Sequence, residues 1–258
     1  MRDVSISVPR VTVHIAVVAV VVAMTMTVGT NASRADAQSI NATVVSRLPV
    51  VQCPTRTGGD YGSRVRLPAT LPERVDTKLV GKVALYADQY DAVRLVGPKG
   101  WSCVASLAVD GGATLQIYRS GTTSPGFFTS LTGRTSATGL TVQAEPACYA
   151  CRLSLACPFF AAARRLIEKT YENTSMLASC ARPPGEVLTS STSSTRFFSD
   201  APFVVGHAYP SGGPDRAFGV SFFDPKTYSY LVACTLPISQ RETCRGALNW
   251  FVDHHRSI

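Results

Sequence analysis

Apolar and polar residues alternate with a period of two in several short stretches and recur with a helical period in two others. Val93 and Leu95 alternate with Arg94, and Gly97-Pro98-Lys99-Gly100 then has the residues of a type I turn. Trp101, Cys103 and Ala105 fall on one face of the next stretch, with Ser102 on the other. Asp110-Gly111-Gly112 marks a hairpin before Leu115 and Ile117 alternate with Thr114 and Gln116. The pattern predicts a three-strand meander over 91–119, with Trp101 as its core aromatic. A hairpin is predicted at 217–235: Phe218, Val220 and Phe222 share a face, Asp224-Pro225-Lys226 turns, and Tyr228, Tyr230 and Val232 share a face on the return.

Helical spacing sets in after Pro158, a residue suited to a first helical position. Phe159, Ala163, Leu166, Ile167 and Thr170 lie on one stripe, and Arg164 and Glu168 are placed to pair, giving a helix at 158–172. A second helix is predicted at 240–253. Ser239-Gln-Arg-Glu242 reads as a capping box, and Cys244, Ala247, Leu248, Phe251 and Val252 trace the apolar stripe. Residues 38–79 are Pro-, Arg- and Gly-rich and read as an irregular lead-in; 120–147 read as loops with one or two short strands. Thr189–Thr195 fits either a linker or an exposed β-edge.

The fold class that follows is α+β. A single disulfide-stapled domain over 80–258 packs an antiparallel sheet, from the 80–120 and 200–235 strands, against the helices 158–172 and 240–253. The sheet signal brackets the helical segment, so dividing the chain would orphan apolar faces.

The N-terminus changes the setting. Arg2 and Arg10 precede an apolar run from Val11 to Met24, and Ala35-Asp36-Ala37 offers the small residues that signal peptidase accepts, so 1–37 read as a signal peptide. An uncleaved anchor is the alternative, because the run extended to Val28 is borderline for spanning a bilayer. Of 258 residues, 45% are hydrophobic and 16% charged, which excludes intrinsic disorder. The net charge is +8; removing Arg2, Arg10, Arg34, Asp3 and Asp36 leaves 22 basic and 15 acidic residues, or +7. Such diffuse charge suits an anionic cell-wall polymer or another envelope protein as partner, and without Lys/Arg runs interleaved with aromatics it does not point to nucleic acid.

All eight cysteines, Cys53, Cys103, Cys148, Cys151, Cys157, Cys180, Cys234 and Cys244, follow the cleavage site. In an oxidising compartment an even set pairs into disulfides. Cys234–Cys244 is predicted across the turn between a strand and the last helix, and Cys53–Cys103 between lead-in and meander. Cys148, Cys151, Cys157 and Cys180 then pair among themselves, with a four-thiolate zinc site as the competing reading.

Three of these stretches also carry a resemblance. Gly97-Pro-Lys-Gly-Trp-Ser-Cys103, Cys148-x2-Cys151-x5-Cys157-Pro-Phe-Phe160, and Cys234-Thr-Leu-Pro237 with Cys244 and Leu248-Asn-Trp-Phe-Val252 resemble motifs of a secreted actinobacterial protein family. The Arg-over-Lys bias agrees with a GC-rich genome. The resemblance covers most of 80–252 and implies export and cysteine pairing. That family carries no assigned activity, so no catalytic residue is transferred.

Residues in recognisable catalytic patterns are few. No nucleophile elbow, zinc-protease motif, phosphate loop or dinucleotide fingerprint occurs. His207, Ser211 and Asp215 lie close together but in a Gly/Pro stretch suited to turns. His254 and His255 fall at the end of the last helix, where the dipole favours imidazolium; adjacent helical positions diverge by about 100°, so with Asp253 they make a poor metal site. No cofactor or metal is implied and no catalytic residue is assigned. The reading is an exported, non-enzymatic binding or structural protein of the cell envelope or medium. Its alternative is a secreted hydrolase whose site is assembled from scattered residues including His207.

Overall fold

The computed structural model describes residues 42–121, 138–171, 176–177, 180, 185–190, 194–199 and 217–255. Asn41–Ile258 form one compact unit. The segment 1–37 predicted as a signal peptide and the trio His207, Ser211 and Asp215 lie outside the described residues.

The fold is mixed α/β with two sheets. The smaller has the order β3-β1-β4-β5, from β1 (Thr43–Gln52), β3 (Thr70–Asp76), β4 (Val83–Ala87) and β5 (Arg94–Pro98). The larger has the order β2-β6-β7-β8-β12-β11-β10-β9. Its members are β2 (Thr55–Thr57), β6 (Ser102–Leu107), β7 (Ala113–Tyr118), β8 (Gly139–Ala144), β9 (Gly185–Ser190), β10 (Ser194–Ser199), β11 (Ala217–Asp224) and β12 (Tyr228–Thr235). Pairing is antiparallel except at β1–β4 and β2–β6, which are parallel. The described helices are α1 (Tyr149–Ala156), α2 (Ala161–Thr170) and α3 (Arg241–His255).

The alternation expected along β6, β7, β11 and β12 sorts their residues, and β8 joins them. Cys103, Ala105 and Leu107, Leu115 and Ile117, Leu140 and Val142, Val220 and Phe222, and Val232 and Cys234 face one apolar core, which the small sheet and α3 complete. On the opposite face Leu231 and Ala233 meet Leu155 of α1, and Phe223 meets the cluster of Leu153, Phe160, Ala163 and Ile167. Along α3 the predicted stripe Cys244, Ala247, Leu248, Phe251 and Val252 is buried throughout.

Several expectations change. The 38–79 lead-in is not irregular but supplies β1, β2 and β3. The 91–119 meander is two structures: β6 and β7 form the hairpin, whereas β5 pairs with β4 in the other sheet. The Gly97–Gly100 turn therefore carries the chain between sheets; turn residues specify a reversal, not a partner. Gly97 permits the crossing, since a Cβ there would lie 2.8 Å from Ile117 Cδ1 of β7. Trp101 is only partly buried, and among the described residues the fully enclosed aromatics are Tyr86 and Phe251.

The helix predicted at 158–172 is shorter and has a companion. Pro158 sits in the turn between α1 and α2; Ala163 and Ile167 are buried, and Arg164 Nε pairs with Glu168 at 3.2 Å. Ser239 lies in a 3-10 turn, Ile238–Gln240, so the capping box does not start α3. Glu242 faces Lys78 at 3.5 Å instead. Thr189 and Thr195 fall in β9 and β10, and β9 is an edge of the large sheet.

Candidate functional site

Glu73 lies on β3 two residues from Leu71 and two from Val75, on the face that period-two alternation turns inward. A carboxylate there must be hydrogen-bonded to be tolerated. Trp250 Nε1–H donates to Glu73 Oε2 at 3.1 Å, and His254 Nε2–H donates to the same oxygen at 2.8 Å. Trp250 and His254 are four apart on α3, so one helical face delivers both. Their rings stack, with centroids 4.1 Å apart.

The other wall is the turn from β4 to β5. Asp88 is fully buried, and its two carboxylate oxygens accept from Tyr90 N at 2.6 Å and Val93 N at 2.7 Å. That clamp holds Asp91 at φ +61°, a left-handed conformation that aspartate tolerates better than most residues. Asp91 then takes Arg94 in a two-point grip, Nε at 2.5 Å and Nη2 at 2.6 Å. Between the walls is a cleft of about 230 Å³, lined by Glu73, Asp91–Arg94, Tyr230, Trp250, His254 and His255.

The surroundings of the two histidines shift them in opposite directions. His254 Nδ1 is 2.8 Å from the Trp250 carbonyl, which can only accept. With Glu73 on Nε2, both ring nitrogens carry protons and the ring is an imidazolium. The hydrogen bond to Glu73 raises its pKa against the opposing effect of burial. Burial would raise Glu73 in turn, but the bonds from His254 and Trp250 outweigh it and hold the carboxyl below its ordinary range. His255 donates from Nδ1 to the Phe251 carbonyl at 2.9 Å and stacks on the Phe251 ring at 3.8 Å. Burial pushes its pKa down, and the nearby His254 charge adds to that. Burial thus favours the neutral ring of His255, in which Nδ1–H faces the Phe251 carbonyl and Nε2 carries the lone pair.

His254, His255 and Asp253 do not converge on a metal: the pair diverges, one ring to Glu73 and the other to Tyr230, at 5.0 Å. The cysteines pair as four disulfides, Cys53–Cys103, Cys148–Cys151, Cys157–Cys180 and Cys234–Cys244. Cys148, Cys151, Cys157 and Cys180 thus form two bridges rather than a four-thiolate site. Multiple bridges are typical of extracellular proteins. No described helix is long and apolar enough to cross a membrane.

Sequence reasoning picked out the histidines but missed Glu73, Asp91 and Arg94. A local signal existed for Glu73, a charged residue at an inward strand position. None existed for its partner, 177 residues away. Comparison with protein-family models, curated proteins and solved structures finds no match to this chain in any of the three.

Proposed function

We propose that the chain is an exported, disulfide-stapled protein that acts at the cell envelope or in the medium by binding, and that the Glu73–His254 cleft takes a small polar ligand. The observation that carries this reading is the commitment of the cleft's charged groups to one another. His254 has no lone pair to accept a proton, and Arg94 and Glu73 are each held by a fixed partner. A set of neutralised, oriented charges beside the rings of Trp250 and Tyr230 suits recognition of a molecule smaller than a typical drug-sized ligand. Export draws on the N-terminal pattern, the four bridges and the resemblance to a secreted actinobacterial family. The mature charge of +7 supports an anionic wall polymer as the larger partner.

Heat denaturation of the purified chain in the presence of sugars, sugar phosphates, amino acids and dicarboxylates tests the cleft. One class should raise the midpoint by mass action, and Glu73→Gln should abolish the rise. Co-sedimentation with purified cell walls should weaken as salt increases. No midpoint shift and no wall binding would defeat the proposal.

The hydrolase reading keeps one specific support, the Nε2 lone pair of His255 on the cleft wall beside Tyr230. Hydrolysis of an ester, peptide or glycan that is lost in His255→Ala or His207→Ala with the fold intact would favour it.

A further inference from the structure

The four disulfides are unequal in a way that structural stapling does not explain. Cys53, Cys103, Cys157, Cys180, Cys234 and Cys244 are all buried, whereas Cys148 and Cys151 are both partly exposed. The residue separations are 50, 23 and 10 for the buried bridges and 3 for Cys148–Cys151. Stabilisation through the unfolded chain grows with loop length, so the most accessible bridge is also the one that constrains the chain least.

Its surroundings are those of a thiol pair that reacts. Cys148 is the N-cap of α1, and its Sγ accepts from Cys151 N at 3.1 Å, where helix amides favour negative charge on sulfur. Arg152 is buried and donates to the Pro146 carbonyl two residues ahead of Cys148, which fixes a cation beside the helix start. Cys151 Sγ lies 3.6 Å from Asp110 Oδ2, a carboxyl group on the solvent-exposed β6–β7 turn.

We propose that Cys148 and Cys151 are a redox-active pair whose disulfide oxidises a dithiol of a partner protein or peptide. The partner's first thiolate attacks Cys148 Sγ. The Cys148–Cys151 bond breaks, its electron pair goes to Cys151 Sγ, and that sulfur takes a proton, relayed from solvent by the Asp110 carboxyl. A mixed disulfide to Cys148 now exists. The partner's second thiol loses its proton to solvent and attacks the partner sulfur of that bond. The partner's own disulfide forms, and Cys148 leaves as a thiolate held by the α1 amide. Two electrons pass from partner to Cys148–Cys151. The final leaving group is the sulfur that the helix stabilises, and this favours the forward direction.

The test uses the purified oxidised chain and graded dithiothreitol, with native alkylation and peptide mapping. Cys148 and Cys151 should be labelled together at reductant levels that leave the other three bridges and the heat-denaturation midpoint unchanged. Oxidised glutathione should then restore the bridge. Simultaneous labelling of all four bridges, or earlier labelling of a buried one, overturns the proposal. The oxidised chain should also convert a reduced two-cysteine peptide to its disulfide, and Cys148→Ser/Cys151→Ser should lose that reaction while keeping the wild-type midpoint. In the single variants, Cys148 of Cys151→Ser should form a mixed disulfide with oxidised glutathione faster than Cys151 does in Cys148→Ser. Equal rates overturn the assignment of Cys148 as the exchanging sulfur. A reduced chain that takes up Zn²⁺ stoichiometrically and no longer reacts with glutathione disulfide overturns it in favour of a metal site.

Discussion

Gly246 of α3 meets Leu79 with no room for a methyl group: a Cβ at 246 would lie 2.0 Å from Leu79 Cδ1 and 3.2 Å from its Cγ. Two effects oppose each other in Gly246→Ala. Helix propensity favours alanine by about 1 kcal/mol. Overpacking costs about 1–3 kcal/mol where the neighbour cannot move, and Leu79 is buried in the same core as α3. The substitution should therefore lower stability by up to about 2 kcal/mol net, measured by urea denaturation. Combined with Leu79→Ala, the double variant should lose less than the sum of the two single losses, because both changes act on one contact.

The Glu73–His254 pair dictates a pH profile with two limbs. Glu73 is depressed in the folded state, so its contribution is full above its unfolded pKa and is lost as pH falls through the folded value. His254 is raised, so its contribution is full below its unfolded pKa and is lost as pH rises through the folded value. The difference in melting midpoint between wild type and Glu73→Gln should be widest at about pH 5–6.5 and shrink on either side. A flat difference across pH 4–9 would dismiss the pair.

His255 acts in the opposite sense to its neighbour. Its folded pKa is depressed, so the neutral ring's contribution is full above the unfolded pKa and is lost as pH falls towards the folded one. His255→Gln should flatten the fall in stability below about pH 6.5, whereas His254→Gln should remove the fall on the alkaline side. Thermal unfolding of the two variants over the same buffers separates them.

Asp88→Asn should disturb the cleft without touching its charged lining. Tyr90 N and Val93 N bond to different oxygens of Asp88, and an amide offers one oxygen and turns an N–H₂ towards the other donor. The buried clash should cost about 1–3 kcal/mol. It should also release Asp91 from its left-handed turn, seen as faster hydrogen exchange at 89–93 than at β4.

Cys234→Ser should destabilise the fold enough to prevent the protein from accumulating. The bridge ties β12 to α3, and its loss should remove about 2–4 kcal/mol. An alkylatable thiol at Cys234 or Cys244 in the native protein would contradict the bridge.

Part of this fold was legible because strands such as β6 and β7 alternate in sequence, as in Leu115 and Ile117 against Thr114 and Gln116. β1 was not. Its segment contains Pro49, and only Leu48 is fully buried. Yet Pro49 falls where β1 changes partner: Thr43–Pro49 pair antiparallel with β3, and Val50–Gln52 pair parallel with β4. A missing donor is tolerated at that break. The cleft was illegible for a different reason. Trp250 and His254 are helical neighbours, but the carboxylate they share comes from β3, and no local period connects strand to helix.

The seam between β8 and β12 joins parts of the chain 96 residues apart at Gly139 and Thr235. The large sheet cannot close until that distant pairing is made, so the chain spends its early folding with strand edges unpaired and open to other chains. Loop closure is easiest where little chain intervenes. The Cys234–Cys244 crosslink, spanning 10 residues, can thus form while the seam is still open and present β12 already docked on α3. Cys53–Cys103, spanning 50, must wait for β2 to reach β6. Chain separation therefore places the β12–α3 crosslink ahead of the β2–β6 one, and a chain made under reducing conditions should aggregate through the edges that the Cys234–Cys244 crosslink would have withdrawn.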